Sequence, residues 1–252
     1  LIEKEVMASE VYLSVVVPAF NEAARLPQTL RRLQEYLAAQ SFTYEILVVL
    51  DGPRDHTRKV LRGVASEIKN LIVLDRVQNR GKGYAVREGM LRAAGHIRLF
   101  TDADNSTDIS HFDAMRRYFD EGYDVVICSR NPKDAPGAKQ LVTQKWHKRL
   151  LGNLGNLFVQ FLAVRGIWDT QCGFKAFRGP AAEKIFSRAV IDGWGFDIEA
   201  LALTRALGYR LAIVPALWIN HPKSHITWSS YFSALAEAIR VRWNLSGGKY
   251  KS

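Results

Sequence analysis

Apolar positions along the chain fall into two alternating rhythms. Short runs rich in β-branched residues, Val11–Val17, Tyr44–Leu50, Leu71–Leu74, Ile97–Thr101 and Asp124–Cys128, read as buried strands. Between them the spacing stretches to the helical period. Leu30, Leu33 and Leu37 share one face of a helix over Pro27–Ala39, with Arg31 and Arg32 outside. Further helices are expected after the second and third strands and over Ile109–Phe119. This alternation predicts an α/β fold with a mostly parallel central sheet and helices on both faces. Ligands of such sheets bind outside the carboxyl ends of the strands.

The second half changes character. Lys139–Val164 starts basic and turns apolar, with Trp146, Leu150, Leu151, Leu154, Leu157, Phe158 and Phe161, and is expected as one or two amphipathic helices. In the following stretch, Asp169–Phe177, Gln171 and Lys175 can be ordinary strand positions. Helices are expected from near Pro180 and from Gly195 to Leu207, then a strand over Tyr209–Val214 ending at Pro215. The last helix, Trp228–Trp243, mixes Tyr231, Phe232, Leu235 and Ile239 with Arg240 and Arg242. No internal repeat or interdomain linker is visible, and nothing signals an oligomeric state.

Charge narrows the partners. The 252 residues suit one large α/β domain or two small ones, and the net charge of +10 favours anionic partners. Nucleic acid, anionic lipid head groups and phosphorylated ligands all qualify. The basic residues are spread along the chain rather than clustered, and paired aspartates would repel a phosphate backbone, which argues against a nucleic-acid-binding module. Cys128 and Cys172 lack metal or redox spacing and are expected as free thiols of a reducing compartment. Leu1–Glu10 is charged, so no signal peptide is expected, and no apolar run approaches the ~20 residues that span a bilayer.

The candidate chemistry sits where the strands end. The first strand leads into Pro18-Ala19-Phe20-Asn21-Glu22, the second into Asp51-Gly52-Pro53-Arg54-Asp55, the third into Gln78-Asn79-Arg80-Gly81-Lys82-Gly83, and the fourth into Asp102-Ala103-Asp104. Two carboxylates one residue apart at a strand end can share a hard cation, Mg²⁺ or Mn²⁺, that keeps positions open for phosphate oxygens. Lys82 between two glycines can bring backbone N–H groups and an ammonium to a phosphate. Neither a P-loop nor a glycine-rich dinucleotide turn is present.

These motifs, in this order, resemble the family 2 glycosyltransferases of the GT-A fold. The shared stretches are Val15–Glu22, Val48–Gly52, Asn79–Arg87 and Asp102–Asp104, then Asp169–Lys175, Gly195–Glu199 and Arg240–Trp243. The later ones are most similar to the branch that makes polyprenyl-phosphate (dolichyl-phosphate) sugars, with glucose favoured and mannose second. The resemblance implies donor contacts from Pro18, Phe20, Glu22, Val49, Asp51, Lys82, Asp102, Ala103 and Asp104, with Asp102 and Asp104 as metal ligands. It implies phosphate or acceptor contacts from Arg130, Gln171, Lys175, His221, Lys223 and His225. The catalytic set that the resemblance implies is Asp102, Asp104 and Arg130. Leu50 stands where the family usually has a second aspartate, and His225 where a lysine is usual.

The implied reaction is inverting transfer of a hexose from UDP-glucose or GDP-mannose to a polyprenyl phosphate. Transfer to a hydroxyl is the alternative, and it would need a general base, for which Asp169 and Asp197 are the candidates. A lipid phosphate arrives already anionic and needs none. The same resemblance implies a catalytic domain over 11–218, and an acceptor-side loop with a membrane-facing amphipathic helix over 219–252. A membrane-associated enzyme with its active site towards the cytoplasm is expected.

Overall fold

The structure, a computed structural model, describes residues 10–140, 157–219 and 228–250. Seven strands form the central sheet: β1 (Leu13–Ala19), β2 (Tyr44–Asp51), β3 (Leu71–Arg76), β4 (Ile97–Thr101), β5 (Val125–Ser129), β7 (Phe174–Arg178) and β8 (Leu211–Pro215), in the order β3-β2-β1-β4-β7-β5-β8. The pairs β1–β2, β2–β3, β1–β4 and β5–β8 are parallel. Two short strands, β6 (Lys139–Gln140) and β9 (Leu217–Trp218), pair separately.

Four helices cover the first half: α1 (Leu26–Ala38), α2 (Thr57–Val64), α3 (Lys82–Arg92) and α4 (His111–Asp120). The second half carries α5 (Gly179–Arg188), α6 (Phe196–Ala206) and α7 (Trp228–Ser246). The apolar stripe of α1 faces the sheet, with Leu26, Leu30, Leu33 and Leu37 buried. One core layer gathers these leucines against Val15, Val17 and Leu99. The opposite layer sets Val16, Val49 and Phe100 against helices α3, α5 and α6. A sheet buried on both faces explains why its strands read as unbroken apolar runs.

Two details differ from the sequence expectation. Pro18 does not end β1 but lies inside it, paired with Val49 of β2. This is tolerated because pairing of β1 with β4 has already stopped at Val16–Phe100, so no ladder on that side needs the missing N–H. And β7, inserted between β4 and β5, runs antiparallel to both. Of the Lys139–Val164 stretch, residues 157–162 are helical; Trp146, Leu150, Leu151 and Leu154 lie outside the described residues. Among the described residues, no helix is long and apolar enough to cross a membrane.

The strand order reverses at β1: β2 and β3 lie on one side and β4 on the other. A crevice opens at such a switch point, beyond the carboxyl ends. Helix α3, which begins at Lys82, is seated close against β1 and β2 through Gly89. A Cβ there would stand 2.3 Å from Val16 Cγ1 and 3.0 Å from Val49 Cγ2. Gly89→Ala should therefore force α3 off the sheet and destabilise the protein by about 1–3 kcal/mol, read as a lower urea midpoint at unchanged m-value.

Candidate active site

Asp51, at the end of β2, is 2% exposed and acts as a clamp for the β3–α3 loop. Its carboxylate accepts hydrogen bonds from the backbone N–H groups of Arg80 and Gly81, both at 2.8 Å, and from Asn79 Nδ2 at 2.9 Å. Gly81 at φ 109° then turns the chain into α3. The consequence is the placement of Lys82, whose ammonium lies 2.6 Å from Asp102 Oδ1 at the end of β4.

The turn after β4 is held from beneath. Thr29 Oγ1 of α1 donates to the Ala103 carbonyl at 2.7 Å, and Asp102 N donates to the Gly173 carbonyl at 3.1 Å. Asp104 accepts the Ser106 N–H at 3.0 Å on Oδ1, and its Oδ2 lies 3.8 Å from Arg25. Arg25 in turn grips Glu22 with two contacts of 2.6 Å. The loops after β1 and β4 are thus tied through one guanidinium.

Behind Lys82 stands a buried pair. Lys175 on β7 is wholly buried, and its ammonium donates to Asp197 Oδ1 at 2.5 Å and to the Cys172 carbonyl at 2.7 Å. Burial pushes the Asp197 carboxyl above its ordinary range, against the pull of Lys175 and Lys82. Burial also opposes the charge on Lys82, but Asp102, Asp197 and Asp104 together hold its pKa above the usual lysine value. The aromatic rings of Trp194 and Phe196 lie 5.5 and 5.8 Å from the same ammonium.

Across the edge, Arg130 follows β5. Its Nε and Nη2 donate to the two carboxylate oxygens of Asp169, each at 2.7 Å, and its backbone N–H donates to Asp169 at 2.8 Å. Burial opposes its charge, yet Asp169 more than offsets this and holds the guanidinium firmly protonated; Asp102 adds to the effect. The ring of Trp218 covers it at 5.3 Å. Asp134 positions this loop by accepting from Ser129 Oγ and from the N–H groups of Trp168 and Asp169.

Asp102, Asp104, Lys82 and Arg130 thus lie at one edge of the sheet, with Ala103 buried between the aspartates and Phe20 and Glu22 at the neighbouring edge. The remaining expected contacts are placed as follows. Pro18 and Val49 are buried positions of β1 and β2 at the same edge. Lys175 is spent on Asp197 in the interior and is not open to an acceptor phosphate. Gln171 is exposed. His221, Lys223 and His225 lie outside the described residues. Cys128 and Cys172 are free, as expected, and both are buried; burial pushes the Cys172 thiol up to about 12. Sequence reasoning missed Gly173, Trp194, Arg25 and Asp134. The flanking glycines of Trp194, and the place of Gly173 within the Asp169–Lys175 stretch, were the legible hints.

Among the described residues, no three His, Cys, Asp or Glu side chains gather as a metal cage. Asp102 and Asp104 nevertheless offer hard oxygen donors of the type Mg²⁺ and Mn²⁺ use when substrate phosphates complete the shell. Gly173 leaves the room this requires, since a Cβ there would stand 2.1 Å from Asp102 Oδ2.

With this fold and edge in view, the comparisons are decisive at the level of family. Residues 14–186 match Glycosyl transferase family 2, and the chain belongs to that family. It is 33% identical to the dolichyl-phosphate beta-glucosyltransferase of Dictyostelium discoideum, over 100% of this chain and 80% of that protein. It is 36% identical to the Drosophila melanogaster enzyme of the same name, over 86% and 70% respectively. Among solved structures it is similar to glucosyl-3-phosphoglycerate synthase from Mycobacterium tuberculosis in complex with Mn²⁺, UDP and glucosyl-3-phosphoglycerate. That likeness has a TM-score of 0.65 at 20% identity, covering 94% of this chain and 80% of that one, and it shows the GT-A fold.

Two substitutions separate binding from support. Gly173→Ala should displace the Asp102 carboxylate without strain in its own backbone, cutting transferase activity at least about tenfold while the unfolding midpoint stays close to wild type. Lys175→Met should instead cost stability, about 3–5 kcal/mol in urea denaturation, because Asp197 is left buried with its closest cation gone.

Proposed function

We propose that the protein transfers glucose from UDP-glucose to a dolichyl or other polyprenyl phosphate, with inversion at the anomeric carbon, at a membrane surface. The observation that carries this reading is the meeting of Asp102 and Asp104 with Lys82 and Arg130 on one sheet edge. The named relatives supply the sugar and the acceptor class. A divalent cation on Asp102 and Asp104 would neutralise the departing diphosphate as a Lewis acid.

The chain's own residues do the rest. Asp51 sets the loop that delivers Lys82 to the diphosphate. Lys82 now pairs with Asp102 and has a diphosphate oxygen as its natural second partner. Arg130 uses Nε and Nη2 on Asp169, which fixes the plane of the guanidinium, and its Nη1 side would be the one to take an incoming phosphate. The acceptor oxygen attacks the anomeric carbon as an anion, from the side opposite the leaving diphosphate, so no proton has to be removed.

A membrane-bound acceptor requires a surface that meets lipid. Phe161 and Trp243 are 88% and 77% exposed, and Leu157, Phe158, Leu217, Ile219 and Ile239 are also open. Arg240 and Arg242 are exposed on α7 beside Ile239 and Trp243. Exposed aromatic and aliphatic groups interleaved with arginine suit an interfacial seat, and the charge of +10 favours an anionic cytoplasmic leaflet. Residues 219–252 are then the acceptor side of the catalytic domain over 11–218, with Lys223, His221 and His225 as further phosphate contacts.

The test is a transfer assay with Mn²⁺ or Mg²⁺, a short polyprenyl phosphate, and UDP-glucose or GDP-mannose in parallel. Glucosyl phospholipid should form from UDP-glucose, should vanish with EDTA, and should fall by about 10²-fold or more in Asp104→Ala. Preferential use of GDP-mannose would overturn the sugar assignment. Sugar transfer to a hydroxyl acceptor but not to the lipid phosphate would overturn the acceptor.

A further inference from the structure

The loop between α5 and α6 forms the back wall of the Lys82 turn. Tyr84 N donates to the Asp192 carbonyl at 3.2 Å. A Cβ at Gly81 would stand 2.4 Å from the Asp192 carbonyl oxygen, and one at Gly83 would stand 2.5 Å from the Ile191 oxygen and 2.6 Å from Phe196 Cβ. The two segments are in backbone contact, and Trp194 of the loop faces the Lys82 ammonium. Any shift of this loop therefore moves Lys82.

Three carboxylates hold the loop in place. Asp192 binds Arg87 of α3 at 2.6 Å. Glu199 of α6 accepts the N–H groups of Val190 and Ile191. The third is Glu237 of α7, which accepts the Gly195 N–H at 2.6 Å. Its fit is close: a Cβ at Gly193 would stand 2.2 Å from Glu237 Oε1, and one at Gly195 would stand 2.6 Å from Glu237 Cβ. Glycines on both sides of Trp194 thus admit a side chain from the C-terminal helix.

We propose that Glu237 is a positioning residue for the donor half of the site: it pins the Gly193–Gly195 turn and, through Trp194, sets the place of Lys82. This couples the C-terminal helix to the binding of a nucleoside diphosphate. The inference rests on Lys82 being a diphosphate contact, as proposed above. A hydrogen bond from a backbone N–H to a half-buried carboxylate is strong enough to make its loss visible in binding.

The experiment is titration of the full chain with UDP in the presence of Mn²⁺, followed by calorimetry, with donor and acceptor KM measured in parallel. Glu237→Ala should weaken UDP binding and raise the donor KM by about tenfold, with the acceptor KM within about twofold of wild type. Glu237→Gln keeps an acceptor oxygen and should restore most of the affinity. Gly193→Ala, which displaces the carboxylate from the loop side, should reproduce the defect and guards against misfolding of the first variant. Lys82→Ala separates the two levels. If it weakens UDP binding and neither Glu237→Ala nor Gly193→Ala does, the coupling is wrong. If Lys82→Ala leaves UDP binding unchanged, the diphosphate reading fails and the coupling falls with it. Equal loss in Glu237→Gln and Glu237→Ala would also overturn it, because the hydrogen bond would not be what matters.

Discussion

Charges alternate in sign across the carboxyl edge of the sheet: Asp102, Lys82, Asp197, Lys175. The two contacts that anchor this row are short, 2.6 Å between Lys82 and Asp102 and 2.5 Å between Lys175 and Asp197. Lys175 is wholly buried and Asp197 nearly so, so either charge alone would be costly to keep out of water. Alternation removes that cost, but only if every member stays at its post. Much of the surrounding structure serves this end. Asp51 delivers Lys82, Gly173 makes room for Asp102, β7 carries Lys175 under the row, and the first turn of α6 presents Asp197. The row also explains why the edge can receive a charged ligand. A cation at Asp102 and a diphosphate at Lys82 would enter as a balanced pair and leave the net charge of the edge nearly unchanged.

The fold was legible where residues act through local rhythm. β-Branched runs and leucines at helical spacing give the strands and helices of the first half, and the strand ends bring the four loops together. Antiparallel β7 was not legible, because Phe174–Arg178 owes its direction to the neighbours β4 and β5 rather than to its own sequence. The site divides in the same way. Asp102, Asp104 and Lys82 announce themselves by sitting at strand ends among glycines. Lys175 carries the same charge as Lys82, and nothing in its neighbours says that it points into the interior. Gly173 and Glu237 are harder still, since their meaning lies in partners 71 and 42 residues away along the chain, respectively.

The two carboxylates that could have served as a general base bear on the nature of the acceptor. Asp169 binds Arg130 through both oxygens, and although burial alone would raise its pKa, Arg130 holds it below the ordinary carboxylate range. Asp197 spends Oδ1 on Lys175 and is 3% exposed. A hydroxyl acceptor needs a carboxylate within hydrogen-bond reach and able to take a proton. Asp169 is a poor proton acceptor and Asp197 a poorly accessible one. An acceptor that is already an anion asks for the reverse: fixed positive charge near the point of attack. Arg130, always charged and held in place by the carboxylate that would otherwise have been the base, supplies it. The ion pair that makes Asp169 a poor base thus also holds a guanidinium ready for a phosphate nucleophile, a chemical argument for a lipid phosphate over a sugar hydroxyl that stands beside the relatives' names.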